Sequence, residues 1–310
     1  MRCNCPYVIC KLHGDCAACI AHNVQTNCLA HCMEENAMAK GASLPLSLPG
    51  RVYLEQDEAA MSQRSAMLIA QTVRQRPDAL LSLAAGNTAV RTYQLLKAMA
   101  ENGEVGFSKA HFVALDEWLD LQDETENCNA FMTKHFYGPL RIRENQITRF
   151  DIHGPDLEEA CRRVDQAIAS HGGIDLMLLG MGMNGHLGLN EPGGDFNRYA
   201  CVVNLDETTA RVGQKYFSGS VSLTRGVTLG VRHMFESRCV ILQVSGKHKA
   251  EILEKMVLTP PTEKLPATVL KILPHGVLVT ERSAAVRVIP ILEKSEKTWI
   301  DGRKGGGSAE

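Results

Sequence analysis

Residues 174–194 read IDLMLLGMGMNGHLGLNEPGG and hold the densest set of groups able to move a proton. His186 can carry or release one near neutral pH. Glu191, five residues on, can orient or charge-balance that imidazole if the loop folds back. Asn184 adds a third polar group to the same loop. Glycines stand at 180, 182, 185 and 188. Without a Cβ, such a backbone can take positive φ and lie close to a ligand. The plain alternative is a strand end with a histidine satisfied by a local hydrogen bond, and the density of the pattern argues against it. A second acidic position follows the apolar run 110–115, where Asp116 and Glu117 are adjacent. One of the two can serve as a base if its surroundings tune it. The alternative there is an N-cap beside a solvated acid. A third feature suits an anion. Ala85, Gly86, Asn87 and Thr88 form a small-residue turn between a strand and a helix. That geometry aims free N–H groups and a helix dipole outward. Gly86 permits close approach and Thr88 adds a hydroxyl, but the Gly-Lys-Thr ending of a Walker loop is absent. Lys247 and Lys249 fall near the start of a later helix, where a cation is unfavourable unless an anion visits, so Lys249 is a phosphate-ligand candidate.

These groups need a scaffold, and the hydrophobic pattern predicts an α/β one. Buried strands are expected over 79–84, 110–115, 174–179, 239–244 and 276–280, with a short strand over 221–224. Helices are expected over 56–76, 89–99, 125–138, 156–170 and 206–217, with a short one over 266–272. Arg211 and Lys215 lie on the fifth of these. Strands that run into glycine-rich or acidic turns place chemistry at their carboxyl ends, as open α/β sheets do.

The chain has 310 residues and a formal charge of −2, which gives no general attraction to nucleic acid or to an anionic membrane. No apolar stretch is long enough to span a bilayer, and the first residues lack the apolar core of a secretory signal. The expectation is a cytoplasmic protein. Seven of its 11 cysteines fall within the first 32 residues, which sets residues 1–40 apart from the rest. Cys16 and Cys19 form a CxxC pair, Cys28 and Cys32 a second pair, and Cys5 and Cys10 can contribute. About four of these six could hold one structural zinc ion. Residues 41–50, rich in Pro and Gly, read as a linker. A single domain is expected over 51–290, followed by a polar tail over 291–310.

Three separated motifs then agree in order and spacing with one family. Gly86-Asn87-Thr88, Leu115-Asp116-Glu117-Trp118 and the run from Gly182 to Pro192 resemble those of the glucosamine-6-phosphate deaminase/isomerase family, over about residues 51–282. The LDEW and NGHLGLNEPG segments most resemble the galactosamine-6-phosphate branch. The resemblance implies a modified Rossmann-like three-layer sandwich with a mostly parallel sheet. It implies conversion of a 2-amino-2-deoxyhexose 6-phosphate, of glucosamine or galactosamine, to a ketohexose 6-phosphate with release of ammonia, and no cofactor for that chemistry. By position, Asp116 resembles the base that moves a proton between carbons 1 and 2. His186 resembles the ring-opening acid/base, and Glu191 its paired carboxylate. Residues 85–88, Lys215 and Lys249 resemble the phosphate clamp, although glucosamine enzymes commonly carry arginine at the position of Lys215. Those enzymes also typically carry Asp where Asn184 stands, and an amide supports an imidazolium less than a carboxylate does. A homo-oligomer is compatible with the resemblance. Two other functions use related folds: 6-phosphogluconolactonases, which lack the Asn-Glu-Pro segment, and regulators that bind a sugar phosphate as effector.

Overall fold

The computed structural model describes residues 51–273 and 275–295. The expected zinc ligands Cys5, Cys10, Cys16, Cys19, Cys28 and Cys32, and the expected linker over 41–50, lie outside the described residues. Among the described residues, no group of three or more His, Cys, Asp or Glu side chains could hold a metal ion. No helix among them is long and apolar enough to cross a membrane.

Seven parallel strands make the main sheet. They are β1 (Arg51–Glu55), β2 (Leu80–Leu83), β3 (His111–Val113), β5 (Ile147–Thr148), β6 (Leu176–Gly180), β9 (Val240–Val244) and β10 (Gly276–Glu281), in the order β1-β10-β9-β6-β2-β3-β5. Helices α1 (Glu58–Gln75) and α2 (Asn87–Glu101) cover one face; α4 (Leu157–Ser170), α6 (Val231–Glu236) and α7 (Ala250–Leu258) cover the other. The alternation of side chains along a strand divides β6 between the two layers. Leu176 and Leu178 join Met61, Ile69 and Tyr93, whereas Met177 and Leu179 join Val164, Ile168 and Leu253. All four β6 side chains are fully buried, so this strand reads as a continuous apolar run. Side-chain caps start the helices: Asp57 accepts from the Ala60 N–H at 2.8 Å and Asp156 from the Glu159 N–H at 2.9 Å.

The three-layer α/β sandwich agrees with expectation; several elements do not. After β3 the chain leaves the parallel sheet, and Asp116–Trp118 forms β4 of a second, antiparallel sheet with β8 (Arg225–Thr228) and β7 (Cys201–Asn204). The strand expected over 221–224 therefore lies four residues later, where Val227 pairs with both Glu117 and Val202. The helix expected over 125–138 is a short α3 (Cys128–Met132) that widens into a π turn through Tyr137. That expected over 206–217 is α5 (Glu207–Gly213) followed by a 3₁₀ turn, Gln214–Tyr216. Backbone over 289–295 is helical and Leu292 is fully buried.

Candidate active site

A parallel sheet sends the carboxyl ends of its strands to one edge, and that edge gathers the candidate residues. Strand β6 delivers the loop with His186, β2 the turn 85–88, β3 leads to Asp116, and β9 leads to Lys249. One cleft of about 300 Å³ is lined by Asp116, His186, residues 85–88, Lys215 and Lys249. Its size is at the lower end for small-ligand sites. Asn184 and Glu191 are not on the cleft wall; they stand behind the imidazole.

The loop after β6 explains its glycines at two positions. Gly185 has φ +85°, the left-handed region that favours glycine. A Cβ on Gly182 would lie 2.3–2.5 Å from three atoms of the His186 ring, so the imidazole lies flat on bare backbone. Hydrogen bonds then fix the ring. The Asn184 Oδ1 accepts from the His186 backbone N–H at 3.1 Å and from Nδ1–H at 2.8 Å. The Asn184 amide in turn donates to Glu191 Oε2 at 2.9 Å and to Thr209 Oγ1 at 3.3 Å. Thr209 Oγ1 is also 2.9 Å from Nδ1. Glu191 Oε2 lies 3.6 Å from Nδ1, so the amide, rather than the carboxylate, makes the shorter contact. With Nδ1–H so engaged, Nε2 is the ring nitrogen with no protein hydrogen bond among the described residues. Burial first, then the nearby Lys249 and Lys215, pull the His186 pKa down to about 4, against the opposing pull of Asp206. The imidazole is neutral at pH 7 and its Nε2 can accept a proton.

Asp116 starts β4, opposite Thr228. Its carboxyl is pushed up to about 7, mainly by burial and then by the charge of Glu117, with a hydrogen bond from Cys128 opposing. A carboxyl that titrates at that pH is matched to proton transfer in neutral water. The neighbouring Glu117 points the other way and is buried. Its Oε1 accepts from the backbone N–H groups of Trp118 (2.8 Å) and Cys128 (2.9 Å), and its Oε2 from that of Asn129 (2.9 Å). Of the two candidate carboxylates, Asp116 lines the cleft and Glu117 holds the start of α3.

The residues expected to hold an anion combine a helix start with two lysines, and all line the cleft. Gly86 is the N-cap of the 15-residue α2 and provides no side-chain cap; the Ala89 N–H donates to the Gly86 carbonyl at 3.0 Å and the Asn87 N–H to the Tyr216 hydroxyl, while the helix dipole still points its positive end at the cleft. The Gly86 φ of −175° is extended, and a Cβ there would meet only Tyr216 Oη, at 3.6 Å. Neither backbone strain nor packing therefore requires glycine at this position. Lys249 is buried and donates to the Met181 carbonyl at 2.5 Å, which ties it to the β6 loop. Burial and then Lys215 lower its pKa to about 8. Lys215 Nζ lies 5.0 Å from the centre of the Tyr216 ring. Sequence reasoning missed Thr209, Gln243 and His248. Thr209 bridges the imidazole and the amide, and the other two line the cleft. No spacing marks Thr209, because its role exists only once α5 packs against the β6 loop.

A buried carboxyl, an imidazole and two lysines line one cleft of a parallel α/β sheet, the kind of arrangement found in enzymes that act on small molecules. Comparison with known proteins agrees. The chain is 36% identical to a glucosamine-6-phosphate deaminase of Bacillus pumilus over 231 residues, 74% of this chain and 96% of that one. It is 33% identical to glucosamine-6-phosphate deaminase 2 of Bacillus subtilis over 228 residues, 72% and 92% of the two chains. A monomeric glucosamine-6-phosphate deaminase of solved structure superposes with a TM-score of 0.73 at 31% identity, covering 76% of this chain and 99% of that one. A 6-phosphogluconolactonase from Trypanosoma brucei superposes with a TM-score of 0.60 at 18% identity, covering 77% and 98% of the two chains, and shows the shared fold alone. The chain belongs to the family of glucosamine-6-phosphate isomerases and 6-phosphogluconolactonases, which its residues 55–278 match.

Proposed function

We propose that this protein isomerises and deaminates a 2-amino-2-deoxyhexose 6-phosphate, giving a ketohexose 6-phosphate and ammonia, with galactosamine 6-phosphate as the preferred epimer and glucosamine 6-phosphate as the alternative. The observation that carries the reading is that Asp116, His186 and the cradle of residues 85–88, Lys215 and Lys249 share one cleft. Anchoring the phosphate at the helix start and the lysines lets remote binding energy orient the reacting end. Neutral His186 takes the proton of the anomeric hydroxyl on Nε2 and returns it to the ring oxygen, which opens the sugar. Asn184 holds the tautomer this requires, with Glu191 and Thr209 holding Asn184. Asp116 removes the proton from carbon 2 and delivers it to carbon 1 while one proton of the amino group passes to oxygen 1, leaving a hydroxyl at carbon 1 and an imine at carbon 2. Water adds there and ammonia leaves, so one water is consumed for each ammonia released. Every group named belongs to a single chain, and none of the steps uses a cofactor. The zinc expected at residues 1–40 has no part in this scheme.

The galacto preference rests on the likeness of the LDEW and NGHLGLNEPG segments and on Asn184, which gives His186 an uncharged partner. An ammonia-release assay with galactosamine, glucosamine and non-amino hexose 6-phosphates tests the proposal. Ammonia chiefly from the galacto substrate supports both the reaction and the epimer. Ammonia chiefly from the gluco substrate keeps the reaction and refutes the epimer. No ammonia from either, with hydrolysis of 6-phosphogluconolactone, refutes the reaction.

A further inference from the structure

We propose that Glu117 is a positioning residue for the reaction: its buried carboxylate fixes the start of α3 and, as a standing negative charge next to Asp116, keeps Asp116 ready to take up a proton. The inference rests on the proposed role of Asp116 as the base, and Glu117 itself does not touch the substrate cleft. Adjacent residues of a strand point to opposite faces. Asp116 therefore lines the cleft while Glu117 turns inward, 1% exposed.

The hydrogen bonds favour one charge state of Glu117. Three backbone N–H groups donate to it, two of them from the first residues of α3. Donors of that kind favour the ionised carboxylate. Burial opposes them and raises its pKa above the ordinary glutamate value. Donors on both oxygens offset that cost and favour the anion over the neutral acid. Few other charges compete at Asp116. The Cys128 thiol, on α3, hydrogen-bonds to it and holds its pKa down. The hydroxyls of Tyr93 on α2 and Tyr216 after α5 also face it, and both titrate well above neutrality. Thr228, its partner on β8, is uncharged. Across the shared cleft stand neutral His186 and the cations Lys215 and Lys249. Glu117 is thus the one anion that acts on Asp116 from its own strand, and it does so while locked by main-chain donors that leave it no freedom to swing away.

The test reads the carboxyl groups directly, by ¹³C-detected titration of labelled protein, and the pH profile of kcat/KM for ammonia release beside it. In Glu117→Gln, the Asp116 midpoint and the acid limb of the profile move together to lower pH by about 1 unit. Glu117→Asp keeps the charge and leaves the Asp116 midpoint near 7, even where turnover falls. Asn127→Ala removes the α3 cap, which accepts from the Ala130 N–H at 2.8 Å, and lowers turnover without moving the midpoint. A midpoint unchanged in Glu117→Gln, or moved equally by Asn127→Ala, overturns the proposal. If Glu117→Gln does not fold, the unaltered protein decides: Glu117 ionised throughout about pH 6–8 supports the proposal, and a proton bound there near neutrality refutes it. Because the titration needs no substrate, a shifted midpoint without ammonia release would refute the proposed reaction while leaving the electrostatic coupling of Glu117 to Asp116 established.

Discussion

Asn184→Asp asks how much the amide behind His186 decides. In the native site Nδ1–H reaches an uncharged oxygen at 2.8 Å, and the Glu191 carboxylate stands off at 3.6 Å. The result is an imidazole that titrates at about 4. The substitution puts a carboxylate in van der Waals contact with the ring. Two unit charges about 4 Å apart attract by roughly 4 kcal/mol at an effective dielectric of about 20, equivalent to about 3 pK units at about 1.36 kcal/mol each. A second effect opposes this one. The introduced carboxylate would face Glu191 across the present 2.9 Å hydrogen bond, with no N–H left to bridge them. Like charges so close do not both ionise freely, and part of the attraction goes into a proton shared between them. The net expectation is a rise of about 1–3 units, which takes His186 from about 4 to roughly 5–7. Two-dimensional ¹H–¹⁵N titration of the ring nitrogens measures it without substrate. A midpoint in the variant still near the native value would refute the reasoning that Asn184 keeps this imidazole neutral.

Other consequences follow from the same geometry. Asp116 must lose its proton to act as base, so kcat/KM should rise with pH through about 7; Lys249 loses its charge above about 8, so kcat/KM should fall again there. An acid limb near the ordinary aspartate value, about 4, would remove Asp116 from the base role. Gly182→Ala places a methyl 2.3–2.5 Å from the His186 ring and must displace it, so kcat should drop about 100-fold or more while thermal stability changes little. Near-normal turnover with an unmoved ring would contradict the packing. Lys249→Ala removes a buried cation of the cradle and should raise KM for the sugar phosphate by roughly 10–100-fold, the loss of a charge-assisted hydrogen bond worth about 1.5–3 kcal/mol. Equal effects on phosphorylated and unphosphorylated sugars would show that Lys249 does not serve the phosphate.

Local signals carried five of the seven strands of the main sheet, all but the edge strands β1 and β5, and the site loops, because each is written over a few consecutive residues. The apolar run ending at Gly180, the small-residue turn after β2 and the lysines after β9 each mark a strand end by themselves, and a parallel sheet then brings those ends together. The second sheet was not legible in the same way. Its strands hold three or four residues each, and β7, over Cys201–Asn204, has no apolar alternation to mark it; pairing with β8 makes it a strand. For that reason Asp116 reads in sequence as the end of one strand when it begins another. Asn184 was visible as a letter, but its function is a pair of hydrogen bonds in opposite directions, from His186 and to Glu191, that only the folded loop creates. Leu292 closes the short apolar run 288–292, a local signal of the core contact that buries it, just before the polar residues that follow.

Asp116→Asn gives the most direct measurement of the central claim, with turnover and sugar-phosphate affinity determined on the same preparation. The amide keeps the size of the carboxyl and cannot accept the carbon-bound proton, so kcat should fall by about 10²–10⁴ or more while Kd for the hexosamine 6-phosphate stays within a few fold. Turnover comparable to that of the native protein would contradict the account.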